Sequence, residues 1–314
     1  MFEELVPNVR TLTADELGIG VQAAAASSHA SSSPDAPEIP ADHPMIREII
    51  RLARIFGGVI LSGPPGTSKS YFAAAAAQVL AGGDDNRLRF VQFHASYQYE
   101  DFMLGFTPKD EGGFKFKRGP FLKLVCDAAC DRENTYVLVI DELSRADVGR
   151  VFGEALTYVE RTKRELPFNI ANGEKISVPS NLVIIATMNP FDRGVDEVDA
   201  AFERRFGKIS MDPDRQLLDE LLTDNHMDEA LKERVLGWFS LINGYANKNA
   251  AAAVGHAYFA TASDEASLND IWAYQLKYLV QRAFRRDEAT REALEARWQT
   301  IFQAPAAAPS PSDR

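Results

Sequence analysis

The chain has 314 residues and a formal net charge of −11, from 34 Lys+Arg against 45 Asp+Glu. With 46% hydrophobic and 25% charged residues it has the balance of a globular protein with a real core, and its length predicts one large domain or two of ordinary size. The acidity argues against a protein that grips nucleic acid unaided, no apolar run approaches the roughly 18 residues of a membrane span, and the Met1-Phe2-Glu3-Glu4 start lacks the marks of a secretory signal, so a cytoplasmic protein is expected.

In chain order, residues 1–44 carry seven acids and one base, and residues 23–40 are rich in Ala, Ser and Pro. Such a composition cannot bury a core and predicts an acidic, flexible N-terminal arm over 1–44. Residues 57–61 form a short apolar run ending in Gly and Pro, a buried strand. Residues 69–80 are Ala-rich and helical. Strands follow at 88–93, 136–140 and 182–186, the last two apolar throughout, as strands covered on both faces are. Between them 147–159 places Val148, Val151, Phe152, Ala155 and Val159 on one helical face. This order predicts an α/β fold with a parallel sheet between helices. Two hairpins interrupt it, one strand at 111–117 beginning at a Gly-Gly turn, and a pair at 168–170 and 175–178 around Asn172-Gly173. After about residue 212 strand signals fade. Helical stripes at Leu231, Val235, Phe239 and Ile242, and at Leu268, Trp272, Leu276 and Leu279, predict a small all-α domain. Residues 303–314 form a second Ala/Pro/Ser tail. Cys126 and Cys130, four apart in a predicted helix, read as reduced packing residues.

The chemistry begins at Gly63-Pro64-Pro65-Gly66-Thr67-Ser68-Lys69-Ser70, which follows a strand and opens a helix, the context a phosphate-binding loop requires. Its backbone N–H groups and the helix N-terminus favour phosphate. Lys69 would reach the β- and γ-phosphates, and Ser70 would ligate Mg²⁺. Ser68 stands where glycine normally precedes the lysine. The strand at 136–140 ends in Asp141-Glu142, at the same sheet edge as the loop. Asp141 would hold the Mg²⁺, and Glu142 would orient and deprotonate the attacking water. The fourth strand runs into Met188-Asn189-Pro190-Phe191-Asp192-Arg193. The Asn189 amide can polarise the water or the γ-phosphate, whereas Asp192 and Arg193 could be a simple turn ion pair. Arg204 and Arg205 close a helix before an apolar strand. They read either as partners of the helix dipole or as an arginine finger acting on a neighbouring subunit's γ-phosphate. His94, His226 and His256 have no partners at metal-ligand spacing and read as packing residues; Tyr97 and Tyr99 read either as contacts for a partner or the nucleotide or as aromatic packing. The mixed run 282–297 reads as a solvated helix.

Together these motifs resemble the AAA+ NTPases, in particular the McrB-like branch, the motor subunits of McrBC-type modification-dependent restriction systems. Five stretches carry the resemblance in order: 63–70, the tyrosine-rich 92–102, 139–145, 188–193 and 204–206. Residues 254–259 and the helix around Ile271-Trp272 resemble that branch's lid. The resemblance implies an AAA+ core over 45–211 with hairpin inserts, and a helical lid over 212–302. It implies a hexameric ring with nucleotide between subunits, the arginine pair acting in trans, ATP or GTP as substrate, and Mg²⁺. It also implies an McrC-like nuclease partner that stimulates hydrolysis through the Asn189/Asp192/Arg193 segment. The 44 residues before the core are too short and polar for the DNA-reading domain that McrB carries, so contact with DNA is expected only through another chain. The alternatives are a MoxR-like ATPase that remodels a protein partner, and a nucleotide-gated scaffold that barely hydrolyses. The intact Asp141-Glu142 pair argues against the second.

Overall fold

The computed structural model describes residues 40–110, 112–190 and 200–303. Among them are nine strands: β1 Gly58–Ser62, β2 Leu88–Gln92, β3 Leu104–Pro108, β4 Phe114–Arg118, β5 Tyr136–Asp141, β6 Phe168–Asn169, β7 Lys175–Ile176, β8 Leu182–Met188 and β9 Gly207–Ser210. Five make one parallel sheet in the order β2-β5-β8-β1-β9. The three central strands are buried along almost their whole length, while the edge strands β2 and β9 alternate between buried and accessible positions. That is why the central strands read as unbroken apolar runs.

Alternation survives inside those runs as a choice between two cores. Val59, Leu61, Val137, Val139, Val183 and Ile185 face a core shared with the helices Pro44–Phe56 and Lys69–Leu80. Ala73, Ala76 and Ala77 are all buried there, and their small side chains let the second helix lie close to the sheet. Ile60, Leu138, Ile140, Ile184 and Ala186 face the opposite core, which is aromatic: Phe93, Phe102, Phe121, Phe152 and Phe202. Helix Pro44–Phe56 starts with Pro44 in its first turn and a cap from His43, whose Nδ1 accepts from the Met45 N–H at 3.1 Å. It ends at Gly57 in the left-handed region, φ 79°.

Both expected hairpins form. β3 pairs with β4 across the Gly112-Gly113 turn, and β6 with β7 across Asn172-Gly173. In the first, Phe106 faces Phe116 with ring centroids 5.0 Å apart, and Phe106, Phe114 and Phe116 are all exposed. The single helix expected over 147–159 is instead two, Val148–Phe152 and Ala155–Tyr158. They are broken at Gly153, whose φ of 50° no helix tolerates and where an added Cβ would lie 2.7 Å from the Tyr99 ring.

From Arg215 onward the regular elements among the described residues are all helices. Their core gathers Trp238, Trp272 and Trp298, with the last two stacked at 4.9 Å. The helical path through Glu265–Ile271 and Lys277–Ala283 is widened at Trp272–Leu276 into a π-helical turn. The run 282–297 is not one helix: Lys277–Ala283 ends within it and Glu288–Gln299 begins. Cys126 and Cys130 are both free, on helix Pro120–Cys130. Among the described residues no helix is long and apolar enough to cross a membrane.

Candidate nucleotide site

The carboxyl ends of β1, β5 and β8 lie side by side, in the register Ile60–Ala186 and Ile140–Ala186. Each strand therefore delivers its next residues to the same edge. β1 delivers the loop 63–70. Gly63 has no room for a side chain, since a Cβ there would lie 2.1 Å from the Met211 carbonyl oxygen. Gly66 takes φ 76° and Ser68 φ 59°. A left-handed serine costs roughly 1–2 kcal/mol that glycine would not. Thr67 is buried, its Oγ1 donating to the Pro64 carbonyl at 3.0 Å, and Lys69 Nζ donates to the same oxygen at 2.7 Å. Helix Lys69–Leu80 starts inside the loop, so the positive end of its dipole lies there.

β5 delivers the acids. Asp141 Oδ1 accepts from two hydroxyls, Ser70 Oγ at 2.6 Å and Thr187 Oγ1 at 2.5 Å. The phosphate loop, the acid and β8 are thus joined through one carboxylate oxygen. Glu142 follows with φ 56°, a second left-handed residue other than glycine at this edge. Its N–H donates to Thr187 Oγ1 at 3.2 Å, and its carboxylate accepts from Arg145 Nε at 3.1 Å. Strained residues that a surrounding network holds in place gather at sites of function.

β8 delivers Asn189, which is buried. It lines a cavity of about 410 Å³ together with Pro65, Arg145, Asn249, Arg282, Arg285 and Arg286. The arginines expected on a solvated helix thus meet the site in this cavity. Phe191, Asp192 and Arg193 lie outside the described residues. Arg204 and Arg205 stand elsewhere. They precede β9 at the amino end of the sheet, where Phe206 packs against Gly58, the full length of β1 away from the phosphate loop. Arg205 is buried with its Nε 3.9 Å from Glu160, whereas Arg204 is exposed. A hydrogen bond from Thr162, with Lys163 and Arg205 nearby, holds the Glu160 carboxyl below its ordinary range.

Three contributors have no role assigned to them by the sequence. Thr187 was visible as the one polar side chain within the run 182–188. Arg145 stands one short turn beyond Glu142. His256 gives no local sign: its Nε2 lies 3.0 Å from Ser68 Oγ across 188 residues of chain. Tyr97 and Tyr99 both pack against the aromatic core. Tyr97 stacks on Phe93 at 5.0 Å, and burial, with Asp101 nearby, pushes its hydroxyl up to about 12. Among the described residues no group of three or more His, Cys, Asp or Glu could hold a metal on its own. Ser70 and Asp141 supply a hydroxyl and a carboxylate, a donor set that suits Mg²⁺ shared with phosphate oxygens and water.

The family described as AAA domain (dynein-related subfamily) matches residues 58–206. The chain is 32% identical over 262 residues to the Type IV methyl-directed restriction enzyme EcoKMcrB subunit of Escherichia coli (strain K12), covering 77% of this chain and 57% of that protein. It is 28% identical over 187 residues to the Type II restriction enzyme BsuMI component YdiS of Bacillus subtilis (strain 168), covering 47% of this chain and 54% of that one. The chain therefore spans little more than half the length of these curated relatives.

Proposed function

Because the chain belongs to the McrB-like branch of the AAA+ NTPases, we propose that it hydrolyses ATP or GTP as the motor subunit of an McrBC-like restriction or defence system in the cytoplasm. The observation that carries this reading is the 2.6 Å bond from Ser70 of the phosphate loop to Asp141, with Glu142 next in the chain. Those groups, on one sheet edge, are what transfer of a γ-phosphoryl group to water requires.

The roles follow from position. Loop N–H groups and Lys69 take the β- and γ-phosphates. Ser70 and Asp141 would hold Mg²⁺, which when bound neutralises charge on the phosphate oxygens. Glu142 accepts the proton of the attacking water, with Arg145 fixing where its carboxylate points. The Asn189 amide orients that water. Arg204 is the finger. It is exposed, and it stands at the sheet end opposite its own phosphate loop, so its reach is to a neighbouring subunit of a hexameric ring. Arg205, buried near Glu160, holds the turn that presents it. Asp192 and Arg193, beyond Asn189, form the segment an McrC-like nuclease partner engages to stimulate turnover, and DNA is met through that partner.

The test is hydrolysis of ATP and of GTP by the purified chain, alone and with an McrC-like partner, alongside measurement of size with and without nucleotide. Turnover of one nucleotide, raised by the partner, with nucleotide-dependent assembly, is expected. No turnover of either nucleotide under any of these conditions would sink the reading.

A further inference from the structure

His256 belongs by position to the C-terminal helices, yet it is buried against the phosphate loop. The Asp214 N–H points to its Nδ1 at 3.5 Å, and its Nε2 lies 3.0 Å from Ser68 Oγ. With Nδ1 as acceptor, a neutral ring carries its proton on Nε2 and donates it to the serine. The residues around it close on the same part of the loop. The Ala257 N–H donates to the Gly66 carbonyl at 2.9 Å, and a Cβ on Gly255 would lie 2.0 Å from that oxygen. The Tyr258 ring lies against Gly66, where an added Cβ would come within 2.8 Å of it. Val254 and Phe259, flanking this clasp, are anchored in the core of the C-terminal helices.

We infer that His256 is a positioning residue for nucleotide binding: it anchors the left-handed Ser68, and through Asp214, which caps helix Arg215–Asp224, it couples the phosphate loop to the C-terminal helices. The inference rests on the reading of 63–70 as a nucleotide loop. It explains how the chain tolerates serine where glycine is usual. Glycine enters the left-handed region freely, whereas serine there needs a hold. The histidine's importance should therefore depend on the identity of residue 68.

The test is a double-mutant cycle on the full chain, read by the dissociation constants of fluorescent ATP and GTP analogues and by KM against kcat. Saturable binding by the wild-type chain, lost in Lys69→Ala, checks the underlying reading separately. His256→Ala is expected to weaken binding about tenfold, with KM rising in parallel and kcat changing far less. In the Ser68→Gly background the same substitution should change affinity less than about twofold, whatever that background's own affinity. His256→Gln, which retains a donor, should recover most of the loss. Equal loss in both backgrounds would show that the ring only packs, and no loss in either would overturn the inference outright. Should His256→Ala fail to fold, Ser68→Ala removes the hydroxyl from the other side and keeps the Cβ. It should weaken binding to the same extent, and wild-type affinity in that variant would equally overturn the inference.

Discussion

The two ends of the parallel sheet solve the problem of polar groups in opposite ways. At the amino end the buried guanidinium of Arg164 donates to the carbonyls of Gly57 at 2.8 Å, Val159 at 3.2 Å and Leu182. Gly57 and Leu182 sit where β1 and β8 begin. Each of its three nitrogens donates to a fixed backbone acceptor. At the carboxyl end, hydroxyls from two elements converge on one oxygen of Asp141, and two non-glycine residues, Ser68 and Glu142, are held left-handed. The comparison teaches that this sheet separates cohesion from chemistry by direction along its strands. Substitutions at one end should change stability, and those at the other should change turnover.

Arg204 is the sharpest challenge to that division, because it stands at the amino end and is proposed to act in catalysis. Arg204→Ala should lower steady-state hydrolysis by about 10³ or more. Nucleotide affinity of the isolated subunit should stay the same, since the arginine serves a neighbour's site. Arg205→Ala, by contrast, empties a buried position and should show first as a lower melting temperature. If Arg205→Ala alone removed turnover and left the fold intact, the roles of the pair would be exchanged. Glu142→Gln tests the carboxyl end. Turnover should fall by about 10³, while nucleotide still binds and the melting temperature moves little. A large loss of stability would break the comparison.

Arg164→Met is the mirror experiment. It leaves three carbonyls without their buried donor, at a cost of about 3 kcal/mol, or a melting temperature lower by roughly 6–12 °C for a domain of this size. Hydrolysis per folded molecule should be preserved at low temperature. Burial, with Arg161 nearby, holds the Arg164 pKa down to about 10, so folded and unfolded chains both carry its proton at neutral pH. The stability difference between wild type and variant should then be flat from pH 6 to 9. Only above about pH 10, where the folded chain releases that proton before the unfolded one, should it shift, in favour of the folded wild type.

The same division decides what can be read from the sequence. The runs now seen as β5 and β8 announced themselves because both of their faces are buried, and the helix 69–80 because alanines fill it. The phosphate loop and Asp141-Glu142 were legible because their spacing is local and tied to a strand end. What escaped depends on distant chain. The break at Gly153 reflects a Tyr99 ring more than fifty residues earlier. The helix Pro44–Phe56 is a different case: its buried stripe, Ile46, Ile49 and Ala53, is a local helical pattern in the sequence. His256 read as a packing residue, which it is in part, since no local pattern marks a partner as remote as Ser68. Arg282, Arg285 and Arg286 alternate with acids as solvated residues do. Only the fold places them around one cavity with Asn189.

Thr187 gives the smallest expected effect and the finest test of how the carboxyl end is organised. Its hydroxyl both donates to Asp141 Oδ1 at 2.5 Å and accepts from the Glu142 N–H at 3.2 Å. Thr187→Val keeps the shape and removes both bonds. Asp141 still has Ser70, so nucleotide binding and KM should hold. Glu142 loses the contact that steadies its left-handed backbone, and a carboxylate that wanders is a poorer base. The loss of about 1 kcal/mol expected for such a hydrogen bond translates into a fall in kcat of about five- to tenfold. Thr187→Ser restores the hydroxyl and should restore kcat with it. A valine variant that turns over like wild type would mean that the two acids are positioned by β5 alone, and that the link from β8 contributes to cohesion at the very end assigned to chemistry.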